Sequence, residues 1–149
     1  MAKALIVYAT ITGNNQMLAD ILADQLDKLG IEVVETEMSQ TDPNDFEDYD
    51  LCFVCVYTYD EGALPEEGMD FYEDLADVDL TGKYYTVLGS GDTYYGEYYN
   101  VAVDKFAKQF EKTGAQIGTD CLKIELEPDE YDIMNIAKVA KDISTKIQI

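Results

Sequence analysis

The segment YATITGNNQ, residues 8–16, is a polar loop that follows an apolar run and precedes an amphipathic stretch. Its side-chain donors are Thr10, Thr12, Asn14 and Asn15. Unpaired N–H groups and the positive end of a helix dipole can hold a phosphate there without a cation, and Gly13 lets the backbone approach closely. Helix capping by Thr12 or Asn14 is the alternative, although four donors exceed what a cap requires. Because the loop has no lysine, a mononucleotide monophosphate fits better than a triphosphate.

Two further loops combine tyrosines with glycines. They read TYDEGALPEEG from Thr58 and GSGDTYYGEYY from Gly89, and each follows an apolar run. Their tyrosines are Tyr59, Tyr94, Tyr95, Tyr98 and Tyr99. Tyr99 is assigned to the core, but offset stacking on a flat ring contributes about 0.5–1.5 kcal/mol beyond burial. The loops therefore predict a flat polar ring held between two tyrosines, with its phosphate in the first loop.

Several kinds of chemistry are excluded by what the chain lacks. Histidine and arginine are absent, and all 10 basic residues are lysines. Ser-His-Asp and Cys-His catalysis, histidine metal sites and arginine fingers are therefore ruled out. The first turn has no G-x-G-x-x-G motif, and Glu97 stands where a Walker A lysine would follow Gly91 and Gly96. We therefore predict no metal site.

The cysteines indicate neither a disulfide framework nor a redox or metal pair. Three cysteines are too few for a disulfide framework. Cys52 and Cys55 have C-x-x-C spacing, but they lie in the apolar run LCFVCVY. On a strand, residues three apart face opposite sides, so we expect two buried, inert thiols.

Strand and helix patterns alternate along all 149 residues. Strands are predicted at Ala4–Ala9, Ile31–Glu37, Leu51–Tyr57, Tyr84–Gly89 and within Ala115–Leu126. Apolar residues at helical spacing predict helices from Met17 to Leu29, from Glu66 to Ala76, around Tyr99 to Phe110, and after Asp129. This alternation predicts a single domain over residues 1–149, an α/β fold with a doubly wound five-stranded parallel sheet, order 2-1-3-4-5, and helices on both faces. In such sheets the ligand lies at the carboxyl ends of the strands, where all three loops emerge.

The charge of the chain restricts its partners. The net charge is −21, and residues 29–82 contain 17 acidic residues and no basic one. Nucleic acid is an improbable partner, since phosphates are neutralised by lysine and arginine, whereas a basic protein surface is favoured. The alternative is that the acidic residues serve only to keep the protein soluble. No apolar run reaches the length of a membrane span, and no signal-peptide layout is present, so we expect a cytoplasmic protein.

The three loops, in this order and in this fold, resemble the cofactor loops of the flavodoxins, and the resemblance covers the whole chain. Thr10, Ile11, Thr12, Gly13, Asn14 and Asn15 resemble the family's T-x-T-G-N-T phosphate loop, with Asn15 in place of the usual hydroxyl residue. Thr58, Tyr59, Asp60, Glu61 and Gly62 resemble its T-W-G-D-G loop, so Tyr59 would take the tryptophan's place against the flavin. Ser90, Gly91, Asp92, Tyr94 and Tyr95 resemble the third loop, where either Tyr94 or Tyr95 would stack on the other face.

The resemblance implies a low-potential one-electron carrier with tightly, non-covalently bound FMN. Such a protein supplies no catalytic group, because the flavin carries the chemistry. It would pass electrons between soluble redox proteins with basic surfaces, and a monomer would suffice. A flavin-dependent reductase or activator on the same fold is the first alternative. A phosphoacceptor receiver domain is a remote one, because no acidic pair follows the first strand.

Overall fold

The computed structural model describes residues 3–9, 14–56, 68–91, 101–125 and 128–147. Its strands are β1 (Lys3–Tyr8), β2 (Glu32–Glu37), β3 (Leu51–Cys55), β4 (Tyr84–Gly91), β5 (Gln116–Ile117) and β6 (Leu122–Glu125). Its α-helices are α1 (Asn14–Lys28), α2 (Met69–Leu75), α3 (Val101–Lys112) and α4 (Glu130–Ile147). Two 3₁₀ helices, Met38–Gln40 and Pro43–Asp48, follow β2. The second of them lies within the segment TDPNDFEDYD, residues 41–50.

The strands form one parallel sheet in the order β2-β1-β3-β4-β5, with β6 also paired to β4. The predicted fold class and strand order are confirmed. The fifth strand differs in being split: β5 pairs with the start of β4, at Tyr84 and Tyr85, and β6 pairs with its end. The break begins at Gly118, where a Cβ atom would lie 2.6 Å from Cγ1 of Ile143 on α4. The close approach of α4 thus leaves no room for a side chain at that point of the sheet.

Both faces of the sheet are buried, as the apolar runs of β1 and β3 predict. Alternate residues of these strands enter two separate cores. Helices α1 and α4 cover one face with a stripe of buried residues: Leu18, Leu22, Leu26, Ile136, Ala140 and Ile143. Aromatic rings fill the other face, beneath the second 3₁₀ helix, α2 and α3: Phe46, Phe71, Tyr85, Phe106 and Phe110.

Cys52 and Cys55 confirm the alternation on β3. Both are fully buried, but Cys52 packs in the aromatic core and Cys55 in the core beneath α1 and α4. Burial raises the pKa of the Cys52 thiol to about 12 and also raises the pKa of Cys55. Neither thiol is therefore ionised near neutral pH, as expected for inert core residues.

The sheet edge formed by β2 is lined with acids. Glu32, Glu35 and Glu37 are all exposed on this strand, and charged edge residues discourage pairing with another chain. Glu35 pairs with Ile6 of β1 and shares a hydrogen bond with Asp20 of α1. Partial burial, that hydrogen bond and the charge of Asp20 raise the pKa of Glu35 to about 7.

Replacing Glu35 with glutamine is expected to stabilise the protein at pH 8 and to leave its stability unchanged at pH 4. The folded-state pKa lies above the ordinary value of 4.5, so the folded protein holds this proton more tightly than the unfolded chain does. The stabilisation that protonated Glu35 contributes is therefore fully present below pH 4.5 and is lost as the pH rises towards 7. Because the side chain is exposed and its charge is screened by solvent, we expect the free energy of unfolding at pH 8 to rise by only about 1 kcal/mol. Urea denaturation measures this change. The control is Glu32→Gln, which removes the same charge from the same strand; an equal gain would contradict the pairing with Asp20.

Candidate functional site

Three neighbouring strands end at one edge of the sheet, where β4 continues to Gly91 beyond the level at which β1 and β3 end. Tyr8, Cys55 and Leu88 are aligned across β1, β3 and β4. Two hydrogen bonds extend this alignment past the strand ends, from Ala9 N to Cys55 O at 2.9 Å and from Val56 N to Leu88 O at 3.0 Å. The first, second and third loops follow directly in the chain. The sheet therefore brings the starts of the three predicted cofactor loops together.

Helix α1 begins at this same edge, directly after the first loop. Its first turn contains no carboxylate. The other α-helices of the described ranges all carry acids there: Asp70 in α2, Asp104 in α3, and Glu130 and Asp132 in α4. Acids are favoured at helix N-termini because they complement the helix dipole. In a chain with 31 acidic residues, a first turn without one leaves the dipole and its free N–H groups available to an anion.

Asn15 connects the start of α1 to the end of β4. Its Oδ1 accepts a hydrogen bond from Ser90 N at 2.9 Å, between residues 75 apart in the chain. Asn15 is 2% exposed and Ser90 is 4% exposed, so the bond is buried. The link joins the element after the first loop to the strand before the third.

The Asn15 amide also tests whether FMN suits this edge. Because Ser90 N is a donor, the amide must present its oxygen to it, and Nδ2 points elsewhere. Nδ2 has no acceptor within the described part of the chain. Buried polar groups nearly always have a partner, so an acceptor such as a phosphate oxygen fits here. The residues present are compatible with the cofactor.

The predicted site residues fall partly within the described ranges. Asn14 and Asn15 begin α1, and Ser90 and Gly91 end β4, at the same edge of the sheet. The remaining predicted residues lie outside the described ranges: Thr10, Ile11, Thr12, Gly13, Thr58, Tyr59, Asp60, Glu61, Gly62, Asp92, Tyr94 and Tyr95. The bond between Asn15 and Ser90 was not predicted, because a polar residue in each of two loops gives no sign that they meet.

Metal binding finds no support in the described ranges. No group of three or more histidine, cysteine, aspartate or glutamate residues is placed there to hold an ion. Within the same ranges, no helix combines the length and the apolar character needed to cross a bilayer.

The sequence model of the family described as Flavodoxin matches residues 6–138. The chain belongs to the flavodoxin family. Probable flavodoxin 2 of Bacillus subtilis is 37% identical over an alignment of 142 residues that covers 93% of each chain. A solved short-chain flavodoxin associated with a PDU bacterial microcompartment is 52% identical, with a TM-score of 0.97 over 99% of this chain and 100% of that one. The flavodoxin of Streptococcus pneumoniae TIGR4 is 46% identical, with a TM-score of 0.95 over 98% and 100% of the two chains.

Membership of the flavodoxin family determines the class of function. Flavodoxins use FMN to carry electrons to and from redox partners, and they are electron-transfer proteins rather than enzymes. The predicted family, the electron-carrier function and the FMN cofactor are therefore confirmed. The receiver-domain alternative, which requires an acidic pair after the first strand, is wrong.

Proposed function

We propose that this flavodoxin is a low-potential one-electron carrier, a single domain over residues 1–149 that binds FMN tightly and non-covalently at the carboxyl edge of its sheet. One observation carries the proposal: β1, β3 and β4 end at the edge of the sheet where α1 begins, and the buried Oδ1 of Asn15 accepts the Ser90 N–H there. Loops leaving three adjacent strand ends can reach the phosphate, the ribityl chain and the ring of one ligand.

Each loop has a proposed task. Thr10–Asn15 would bind the phosphate through backbone N–H groups and side-chain donors, at a helix end without acids of its own. Thr58–Gly62 would cover one face of the ring with Tyr59, and Ser90–Asp92 would border its edge. Tyr94 or Tyr95 would stack on the other face.

The acids of these loops would set the redox potential. FMN, when bound, supplies the electron-accepting chemistry, and the protein tunes it. Asp60, Glu61 and Asp92 occur in the loops proposed to border the ring. A carboxylate about 10 Å away disfavours an added negative charge by roughly 0.4–1.7 kcal/mol, taking effective dielectric constants of 80 and 20. Several such groups would together lower the potential.

Titration of the apoprotein with FMN, followed by potentiometry, tests the function. We expect a yellow complex whose two reduction steps lie at negative potentials. The reduced protein should pass electrons to a second redox protein, but the oxidised protein alone should not consume NAD(P)H. Steady NAD(P)H oxidation would favour the reductase or activator alternative, and failure to bind FMN would contradict the proposal.

The proposed partners are redox proteins with basic surfaces, because the charge of the chain is polarised across the fold. The acid-rich residues 29–82 include β2, β3, α2 and both 3₁₀ helices, whereas residues 101–147 carry 7 of the 10 lysines in α3, α4 and the strands between them. A groove of about 410 Å³ lies on the acidic side, lined in part by Asp42, Asp70 and Asp74. Such a groove can receive lysine or arginine side chains of a partner.

Reversing one charge on the acidic side should slow electron transfer more than the same reversal on the other side. Asp74 of α2 and Asp142 of α4 are both exposed helical acids that line surface grooves. With cytochrome c as a basic acceptor, we expect Asp74→Lys to lower the second-order rate constant by a factor on the order of 3–10 at 10 mM salt. Asp142→Lys changes the net charge equally and should have a smaller effect. At 1 M salt, where the screening length is about 3 Å, the difference should vanish; equal effects of the two variants would contradict a polarised docking surface.

The proposed location is the cytoplasm, and the proposed state is a monomer. All three cysteines are free, which suits a reducing compartment. The acids on the exposed edge strand β2 discourage association of two sheets.

A further inference from the structure

Helix α2 is poorly supported by its own sequence. It has only 7 residues, Met69–Leu75, and Gly68 before it provides no side-chain cap. Its last turn contains Glu73 and Asp74 and no basic residue, although acids at a helix C-terminus oppose the helix dipole. Isolated helices shorter than about 12 residues are marginal in water. The α2 helix therefore depends on contacts with the rest of the protein.

Helix α3 provides a buried polar contact to the end of α2. Nε2 of Gln109 donates a hydrogen bond to the backbone oxygen of Tyr72 at 2.6 Å, between residues 37 apart in the chain. Because a carbonyl can only accept, the nitrogen of the amide must face it. Gln109 is 4% exposed. The carbonyl of Tyr72 is among the last four of α2, which a helix leaves without partners of its own, so Gln109 caps α2 from a neighbouring helix.

Phe106 makes a second contact with the same residue of α2. Its ring meets the ring of Tyr72 edge-on, with centroids 5.2 Å apart and an interplanar angle of 82°. Phe106 and Gln109 are three residues apart on α3, so they lie on one face of that helix. We call Tyr72, Phe106 and Gln109 the α2–α3 clasp. The clasp holds α2 against α3 through one ring contact and one buried hydrogen bond.

The two helices of the clasp follow the two loops that are proposed to cover the flavin ring. The second loop leaves β3 and the chain returns at α2, whereas the third loop leaves β4 and the chain returns at α3. Strands β3 and β4 are neighbours in the sheet, so sheet pairing fixes the points at which the two loops begin. The points at which they return lie on the two helices, whose separation the clasp fixes.

We propose that Gln109 is a positioning residue for the ring end of the FMN site: by holding the backbone oxygen of Tyr72, it keeps the return points of the second and third loops at the separation that the ring requires. This inference rests on the proposed function. Gln109 lies eight residues after Val101, about 12 Å along α3, so it acts through α2 rather than by contact with the ring. Because coupling between two sites is reciprocal, a bound ring should in turn stabilise α2 against local opening.

Gln109→Met tests this role, because it keeps the length and size of the side chain but has no hydrogen-bond donor. Ile143→Val is the control for lost stability, since Ile143 is fully buried in the core on the other face of the sheet and is not part of the clasp. Dissociation constants for FMN and for riboflavin, which lacks the phosphate, are measured at a temperature at which far-ultraviolet circular dichroism shows every apoprotein to be folded. Visible circular dichroism of bound FMN reports the surroundings of the ring.

For Gln109→Met we expect the affinities for FMN and for riboflavin to fall by the same factor, about twofold to tenfold, because both ligands contain the ring. The visible circular dichroism of bound FMN should change as well. Ile143→Val should bind both ligands as the wild type does and should leave the spectrum unchanged.

A measurement on the unmodified protein does not depend on how the variants fold. In the apoprotein, the backbone amides of α2 should exchange with solvent faster than those in the middle of α4, because α2 opens locally. Saturating riboflavin should slow the exchange of the α2 amides, since it has the ring but not the phosphate.

Other results would overturn the inference. Wild-type affinity for both flavins in Gln109→Met would do so, and so would α2 amides that exchange as slowly as those of α4 or that riboflavin does not slow. An equal loss of affinity in Ile143→Val would mean that general destabilisation explains the effect. A loss of FMN affinity alone would place the effect at the phosphate instead of the ring. Failure of the wild-type apoprotein to bind FMN would instead contradict the proposed function, so the two failures are distinguishable.

Discussion

Replacing Gly118 with alanine should lower the free energy of unfolding by about 1–3 kcal/mol, the usual cost of forcing extra volume into a packed interior. The added Cβ would lie 2.6 Å from Cγ1 of Ile143 and 3.4 Å from the backbone oxygen of Tyr85. Ile143 is a fully buried residue of α4, so it has little room to move. Urea denaturation of the apoprotein measures the loss.

Shortening Ile143 should remove this cost. Ile143→Ala alone leaves a cavity and should cost about 2–5 kcal/mol. In that background the Gly118→Ala methyl enters space that Ile143 vacated, so the second substitution should cost close to nothing. Gly82→Ala is the control: its φ of +89° strains a side chain, but nothing lies within 4 Å of the new atom. Its cost should be the same in both backgrounds, and an undiminished cost of Gly118→Ala in the Ile143→Ala background would contradict the packing account.

The sheet could be predicted from the sequence because each step is local. Apolar runs such as Ala4–Ala9 and Leu51–Tyr57 indicate strands buried on both faces, and helical spacing between them indicates crossovers. Crossovers between parallel strands have one hand, which restricts the strand order. The glycines that end helices could be placed in the same way: Gly30 follows α1 with a φ of +82°, and Gly114 follows α3 with a φ of +85°.

The split of the fifth strand could not be predicted, since it depends on contact between distant elements. Ala115–Leu126 has enough apolar and β-branched residues for one strand. At the break between β5 and β6, Gly118 packs against Ile143 of α4, which lies 25 residues later in the chain. Periodicity likewise does not tell how deeply a helix end is buried. Met17 fits the stripe of α1 and Ile133 that of α4, yet they are 40% and 39% exposed.

In the candidate site, too, features set by local sequence could be predicted, whereas contacts between distant residues could not. The three loops could be found because their composition is local, and strand order then places them at one edge. The pairing of Glu35 with Asp20 and the bond from Ser90 to Asn15 depend on register and on helix placement. The place of Asn15 in the loop groups it with the phosphate donors, but it does not reveal that half of the amide is used inside the protein.

Replacing Thr12 with valine should weaken FMN binding by about 1.5–3 kcal/mol, the scale of a hydrogen bond to a charged group. Thr12 lies outside the described ranges, so the prediction follows from its place in the loop before α1. Valine has nearly the shape of threonine but no hydroxyl. The dissociation constant should rise roughly tenfold to 150-fold. Fluorescence titration of the apoprotein, in which bound flavin is quenched, measures it.

Riboflavin separates a phosphate contact from a helix cap at this position. If the Thr12 hydroxyl donates to the phosphate, riboflavin affinity should stay almost the same in Thr12→Val. If the hydroxyl only caps α1, both flavins should lose affinity equally, and the free energy of unfolding of the apoprotein should fall by about 1 kcal/mol. Thr81→Val is a matched control, because Thr81 makes its hydrogen bonds to Asp79 in the turn before β4, at the opposite edge of the sheet. A loss of FMN affinity in that variant as well would mean that general destabilisation, and not the phosphate contact, explains the effect of Thr12→Val.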